Sequence, residues 1–154
     1  MLTMMGEAVL TKGTMKINGK LSYLSSTYEI IIPGSIKDNI LLGEKYNPEK
    51  FIEVLEVVEF DLTRFKAGEE LEILHNGSNI STDERKKMLL ARLLYHGGDI
   101  ICLEYFFDDW YPPLSERIFN RLIKEYLVGK TVIYSTNISK FMKLSDTALY
   151  FENG

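Results

Sequence analysis

Residues 33–43 read PGSIKDNILLG, and this stretch contributes most to deciding the fold. Pro33 and Gly34 mark a turn, because proline presets turn geometry and glycine accepts backbone conformations that other residues avoid. A short segment then runs from Ser35 and stops at Gly43. This is the most specific single pattern in the chain, and the neighbouring segments can be placed outward from it.

A helix is predicted from Pro48 to about Glu59. Asn47 can cap its first turn, and proline is favoured at the first helical position. Four apolar residues then follow at helical spacing and predict one buried face: Phe51, Ile52, Leu55 and Val58.

A second helix is predicted after Ser81, which lies three residues before Glu84 in the pattern of a capping box. It ends at Gly97 and Gly98, since glycine commonly terminates helices. Its apolar residues are Met88, Leu90, Ala91, Leu94 and Tyr95.

Short apolar runs at residues 100–103 and 131–135 predict strands that are buried on both faces. Pro112 and Pro113 introduce a helix between them. A last strand is predicted at residues 148–151. Strands that alternate with helices in this way predict an α/β fold with a parallel sheet.

Near the N-terminus, residues 14–25 predict two short strands that form a hairpin. Asn18 and Gly19 lie between them, and this dipeptide is the strongest short-range indicator of a hairpin turn.

Composition excludes several functions. The 154 residues carry a net charge of −4, and 45% of them are hydrophobic, which predicts a single folded domain with a modest core. The negative charge argues against a nucleic-acid-binding protein. No apolar run approaches the ~18 residues that can cross a bilayer. The single Cys102 lies in an apolar run, which predicts a buried cytosolic thiol.

Taken in order, several segments resemble the nucleotide-binding domain of ATP-binding cassette (ABC) transporters. The resemblance is greatest to the branch that holds the multidrug-resistance proteins and the cystic-fibrosis chloride channel. The matching residues are 21–26, 33–43, 79–81, 90–95, 99–104, 130–133, 136–137 and 146–154. The resemblance implies a partial cassette over residues 1–154, with an incomplete P-loop ATPase core. It also implies part of a helical subdomain, around residues 48–95.

Members of this family bind ATP and Mg²⁺ between two cassettes and couple hydrolysis to transport by a membrane domain. The resemblance therefore implies ATP and Mg²⁺ as cofactors, and a transmembrane domain and a second cassette as partners. It also implies a location at the cytoplasmic side of a membrane. However, no phosphate loop of the form G-x-x-x-x-G-K-[ST] occurs in this sequence. Residues 1–9 resemble the end of the helix that follows such a loop, so we expect the chain to begin just beyond it, by truncation or by natural loss.

Several residues match the family's nucleotide-contacting positions without keeping its chemistry. Ser26, or Ser25 if one residue is inserted, corresponds to the Q-loop glutamine, and the chain contains no glutamine. Glu104 corresponds to the Mg²⁺-binding aspartate and could still hold a metal through water. Tyr105 corresponds to the general base, yet a phenol titrates near pH ~10 and is a poor base at neutral pH. Asn137 corresponds to the switch histidine and cannot titrate.

The family's signature motif corresponds to Ile80, Ser81, Thr82, Asp83 and Glu84. Two glycines that approach the γ-phosphate are replaced by Thr82 and Asp83, and the two acids would repel phosphate. Acids in a first helical turn favour the helix dipole. We therefore expect helix capping to be the main role of this segment.

Two further features leave alternatives open. The aromatic cluster of Tyr105, Phe106, Phe107, Trp110 and Tyr111 is either core packing or a partner surface. Residues 28–32 correspond to the surface that receives the membrane domain, and their apolar side chains either form that patch or point into the core.

The sequence thus predicts a degenerate ATP-binding cassette that does not hydrolyse ATP by itself. Two alternatives are a non-catalytic interaction module built on the same fold and a fragment without independent activity. Strands that are apolar on both faces need helices on both sides of the sheet. Because the helix at residues 1–9 is incomplete, we expect one face of the sheet to be partly exposed. We therefore expect the isolated chain to be poorly soluble, molten or oligomeric.

Overall fold

A computed structural model describes residues 1–27 and 29–150, and at Asn76 it describes the backbone alone. The strands are β1 Leu21–Ser25, β2 Gly34–Ser35, β3 Glu72–Ile73, β4 Ile100–Glu104 and β5 Thr131–Ser135. The helices are α1 Leu2–Met5, α2 Ile36–Leu41, α3 Pro48–Val57, α4 Thr82–His96, α5 Pro112–Arg121 and α6 Ser139–Met142. A π-helical turn, Leu122–Tyr126, continues α5.

The central sheet is parallel, with the strand order β1-β4-β5. In the register of this sheet, Leu24 of β1 pairs with Leu103 of β4, and Leu103 pairs with Tyr134 of β5. The α/β class with a parallel sheet is therefore confirmed, and the arrangement is consistent with a partial P-loop ATPase core.

The helical part begins at the PGSIKDNILLG stretch. Gly34 and Ser35 form β2, which pairs with β3, and Ser35 caps α2 through a capping box with Asp38. Both α2 and α3 pack against α4. Asn47 caps α3 as predicted. One prediction on α3 is wrong: Ile52 is 55% exposed, and Val54 occupies the buried face instead.

One hydrophobic cluster joins the helices to the sheet. Leu24, Ile101 and Leu103 of the sheet belong to the same cluster as the buried side chains of α4. Cys102 is fully buried, as predicted, and burial raises the pKa of its thiol.

The predicted hairpin at residues 14–25 does not form. β1 pairs with β4 instead, and no strand is present at residues 14–19. Gly19 has a φ of 115°, and a Cβ there would lie 2.8 Å from the Cβ of Asp99. The backbone N–H of Lys20 donates to the Asp99 carboxylate at 2.8 Å. The glycine therefore serves a close approach of the chain to the start of β4 rather than a hairpin turn.

The predicted last strand is also absent from its described part. Residues 148–150 are not in a strand, and Leu149 and Tyr150 are 79% and 89% exposed. Residue 151 of that prediction lies outside the described residues.

Candidate functional site

The three parallel strands end at one edge, and four of the predicted site residues meet there. Ser26 follows β1, Glu104 ends β4, and Tyr105 and Asn137 follow β4 and β5. The backbone N–H of Ser26 donates to the Glu104 carbonyl at 3.1 Å. This edge, made of Ser26, Glu104, Tyr105 and Asn137 with their direct neighbours, is called the carboxyl edge below.

The Glu104 carboxylate is engaged by hydroxyl groups of β1. Its Oε2 atom accepts hydrogen bonds from the Tyr23 phenol and, at 3.2 Å, from the Ser25 hydroxyl. Ser25 is 2% exposed, and its Oγ also accepts from the Thr27 N–H. Of the two serines considered for the glutamine position, Ser25 is therefore the one whose side chain reaches Glu104.

The hydrogen bonds of Glu104 bear on whether its carboxylate could hold Mg²⁺. Within residues 1–27 and 29–150, no three His, Cys, Asp or Glu side chains are close enough to hold a metal ion. Mg²⁺ requires about six oxygens in near-octahedral geometry. At Glu104 one oxygen already faces two hydroxyl hydrogens, which repel a cation. The proposed metal role of Glu104 would therefore need these bonds to rearrange.

Tyr105 has an unusual backbone conformation. Its φ is 49°, in the left-handed region that non-glycine residues rarely adopt, at a cost of roughly 1–2 kcal/mol. Its N–H lies 3.1 Å from the Ser135 carbonyl and 3.2 Å from the Ser135 hydroxyl. The end of β5 therefore holds this turn, and the residue itself is 44% exposed.

Asp108 is a site residue that the sequence reasoning missed. Its two carboxylate oxygens accept from the Thr136 hydroxyl and from the Asn137 N–H, both at 2.6 Å. The Thr136 oxygen accepts in turn from the Ile138 N–H at 3.0 Å. Asp108 follows β4 closely, and the ends of parallel strands share one edge, so its proximity to Thr136 could have been anticipated. It places a fixed negative charge beside the switch position.

The segment Ser81–Glu84 forms the start of α4 and caps it. The Ser81 hydroxyl accepts from the Glu84 N–H at 3.2 Å, and the Glu84 carboxylate accepts from the Ser81 N–H at 2.7 Å. Arg64 pairs with Glu84 at 2.8 Å, and Thr82 accepts from Arg85. These contacts run within α4 and to Arg64 rather than to the carboxyl edge, and the capping expected from the sequence is observed.

The pKa of Glu84 reflects this capping. Burial alone would raise it, but the hydrogen bonds from Ser81 and the positive charges of Arg64 and Lys87 hold the pKa below its ordinary value. The ionised form of Glu84 is therefore favoured at the helix start, where a negative charge interacts well with the helix dipole.

The aromatic cluster divides into packed and exposed members. Phe106, Phe107 and Trp110 are buried, with ring centroids 5.3–5.5 Å apart. Tyr105 and Tyr111 are 44% and 66% exposed. The cluster is thus mainly core packing, with two tyrosines left at the surface.

The segment predicted to face a membrane domain is held by a half-buried arginine. The Arg92 guanidinium donates to the carbonyls of Ile30 and Asn39, both at 2.6 Å. Its burial lowers the pKa to about 10. The Asn39 amide also binds both backbone groups of Ile32.

The side chains of this segment point in different directions. Ile30 is 68% exposed, whereas Ile31 packs against the core. Tyr28, the first residue of the predicted patch, lies outside the described residues. Only part of the proposed patch is therefore exposed.

Sequence comparisons identify relatives along the whole chain. ABC transporter C family member 9 of Arabidopsis thaliana is 30% identical over 99% of this chain. The cystic fibrosis transmembrane conductance regulator of Danio rerio is 30% identical over 100% of it. ABC transporter C family member 3 of Dictyostelium discoideum is 31% identical over 98% of it. No protein-family model matches.

This chain is an ABC subfamily C-like domain. It spans about a tenth of the length of these relatives, which is 10–11% of each. In the part of the cassette that the structure describes, no helix is long and apolar enough to cross a bilayer.

Proposed function

We propose that this chain is a degenerate ATP-binding cassette of an ABC transporter and does not catalyse ATP hydrolysis by itself. One observation carries the proposal. At the carboxyl edge, the carboxylates of Glu104 and Asp108 both accept hydrogen bonds from neighbouring residues. Tyr105 follows Glu104 at the position that corresponds to the family's general base.

Hydrolysis needs a group that takes a proton from the attacking water. A positioned general base contributes about 10²–10⁴ in rate, and the phenol of Tyr105 is a poor substitute near neutral pH. The hydrogen-bonded Asp108 carboxylate adds negative charge where the family binds a γ-phosphate. The first feature opposes catalysis, and the second opposes binding of the anionic ATP.

The family relationship supports the proposed partners. These are the transmembrane domain of an ABC transporter and a second cassette, at the cytoplasmic side of a membrane. Within this chain, exposed Ile30 on a segment held by Arg92 supports contact with the membrane domain.

The catalytic part can be tested with purified protein and Mg-ATP. We expect no phosphate release above buffer, with the variant Tyr105→Phe as a matched control of equal activity. Phosphate release above buffer would contradict the proposal, and a fall of that release in Tyr105→Phe would make the phenol a participant.

The partner contact can be tested by membrane co-sedimentation from cells that express the chain. Ile30→Asp should reduce recruitment several-fold, while Ile52→Asp, at a similarly exposed site on α3, should leave it unchanged. Both changes should alter stability by less than ~0.5 kcal/mol, since both side chains are exposed. Equal recruitment of the two variants would argue against Ile30 as a contact.

A non-catalytic interaction module is a second candidate, favoured by the exposure of Tyr105 and Tyr111. Exposed tyrosines are common anchors at protein interfaces. This candidate predicts that Tyr111→Ala abolishes association with a soluble partner and leaves membrane recruitment intact. The transporter proposal predicts instead that membrane recruitment depends on Ile30 and not on Tyr111.

A further inference from the structure

The loop that connects β4 to α5 pairs with a buried cation. It consists of residues 105–111 and is called the post-β4 loop below. Lys86, in the second turn of α4, is only 3% exposed. Lysine is rarely buried to this extent unless its charge is paired, because removing an ammonium group from water is costly. The fold therefore needs a counter-charge at this position.

Asp109 of the post-β4 loop supplies this charge. Its Oδ1 atom lies 2.6 Å from the Lys86 Nζ atom, and among the described residues no other acid pairs with this ammonium group. The two partners differ in burial, since the Lys86 side chain is 4% exposed and the Asp109 side chain is 61% exposed. Asp109 can leave the pair and remain hydrated, whereas hydration of Lys86 requires a neighbouring segment to move. The post-β4 loop is the segment that lies at its ammonium group.

The closed position of this loop carries two further costs. Tyr105, its first residue, has a φ of 49°, which is unfavourable for a residue other than glycine. Trp110 is 4% exposed, and its Nε1 atom has no hydrogen-bond partner in the part of the chain that the structure describes. A buried N–H group without an acceptor is less stable than the same group in water. Opening of the loop allows both features to relax, so the closed position depends on the favourable contacts that the loop makes.

We propose that the post-β4 loop is a charge-dependent strap: the ionised Asp109 holds it closed against the Lys86 ammonium group, and loss of this charge opens it. Removing one partner of a buried ion pair leaves an uncompensated charge, which is strongly unfavourable. Replacing the buried charge by an apolar side chain of similar size is often neutral. The loop therefore opens to hydrate Lys86 when the Asp109 carboxylate is lost, but stays closed when Lys86 itself is replaced by an apolar residue.

Opening of the strap changes the surface that this segment presents. Tyr105 and Tyr111, the two exposed members of the aromatic cluster, lie at its two ends. Asp108, which accepts hydrogen bonds from Thr136 and Asn137, lies between them. The ion pair with α4 thus connects the helical part of the chain to the carboxyl edge.

Trp110 reports on the loop directly, because it is the single tryptophan of the chain. In the purified 154-residue chain its emission should be that of a buried indole, and acrylamide should quench it weakly. Asp109→Ala removes the counter-charge at a side chain that is mostly exposed, so it disturbs little packing. We expect this variant to raise the acrylamide quenching constant about threefold or more, while the far-UV circular dichroism stays unchanged.

Lys86→Met is the matched control, since methionine is a flexible apolar residue that removes the charge and fills much of the same space. We expect quenching in Lys86→Met, and in the double variant Lys86→Met/Asp109→Ala, to stay close to that of the unchanged chain. Loss of Asp109 should therefore open the loop only when Lys86 is present.

Equal quenching of Asp109→Ala and the unchanged chain would overturn the proposal, because Lys86 would then need no counter-charge. So would strong quenching in Lys86→Met or in the double variant, since the effect would not depend on the buried charge. If Asp109→Ala loses its fold altogether, recovery of the fold in the double variant supports the proposal, and failure to recover contradicts it. Strong quenching in the unchanged chain would contradict the closed loop itself. The inference does not depend on nucleotide binding.

Discussion

The start of α4 and the carboxyl edge both correspond to nucleotide-contacting positions in the family, but they use their polar groups differently. At the start of α4, Ser81 and Glu84 bond to each other, three residues apart. At the carboxyl edge, Glu104 bonds to Ser25, which is 79 residues away, and Asp108 bonds to Thr136, which is 28 residues away. The first region stabilises one helix, whereas the second connects three strands. The hydrogen bonds of the two regions thus span short and long separations along the chain, respectively.

The largest effect is expected at the carboxyl edge, from Asp108→Ala. This change removes the acceptor of two hydrogen bonds to a charged group, and such bonds contribute about 1.5–3 kcal/mol each. Because Asp108 is partly exposed, we expect a loss near the lower end for each, or about 2–4 kcal/mol in urea unfolding. Asp108→Asn keeps one acceptor oxygen and should lose about half as much. If the two variants lose equal stability, Asp108 acts through its charge alone.

A smaller effect is expected at the start of α4. Ser81→Ala removes the capping hydroxyl and should lower the free energy of unfolding by about 1 kcal/mol. Thr82→Ala, one residue further on, should cost less than ~0.5 kcal/mol, since its hydroxyl only accepts from Arg85. Equal losses from the two variants, measured by urea unfolding, would mean that Ser81 does not act as a specific cap.

The smallest effect should depend on pH. Because the pKa of Glu84 in the folded chain is lower than its ordinary value of 4.5, its ionised form stabilises the fold. This stability is present above pH 4.5 and is lost as the pH falls through the lower folded pKa. Glu84→Gln should therefore cost a few tenths to 1 kcal/mol at pH 7 and almost nothing near pH 2. Unfolding titrations at both pH values test this difference, and a cost that does not change with pH would contradict it.

The same difference in separation along the chain explains which features could be predicted from the sequence. The capping box of Ser81 and Glu84 and the buried run of β4 depend on residues that are close in the chain, and both were predicted from the sequence. The bonds of Asp108 and Tyr23 depend on the meeting of distant strands, so no local pattern indicated them. The Tyr23 phenol reaches Glu104 only across the paired strands β1 and β4, which are 75 or more residues apart along the chain.

The wrong predictions came from local sequence patterns that are compatible with more than one structure. Asn18-Gly19 is typical of a hairpin turn, but here Gly19 allows close approach to Asp99. Ile52 has helical spacing with Phe51 and Leu55, yet it points outward, because the buried face of α3 is centred nearer Val54. A periodic pattern shows that a helix has a buried face without fixing its exact rotation.

The central claim is most directly tested by the melting temperature of the purified chain with and without millimolar Mg-ATP. A ligand raises the melting temperature only when it binds the folded state, and a concentration 100 times its dissociation constant would stabilise by ~2.7 kcal/mol. We predict no measurable shift, with Mg²⁺ alone as the control. A shift of several degrees that requires ATP and disappears in Glu104→Gln would contradict the account, because Glu104 would then hold the metal of a working nucleotide site.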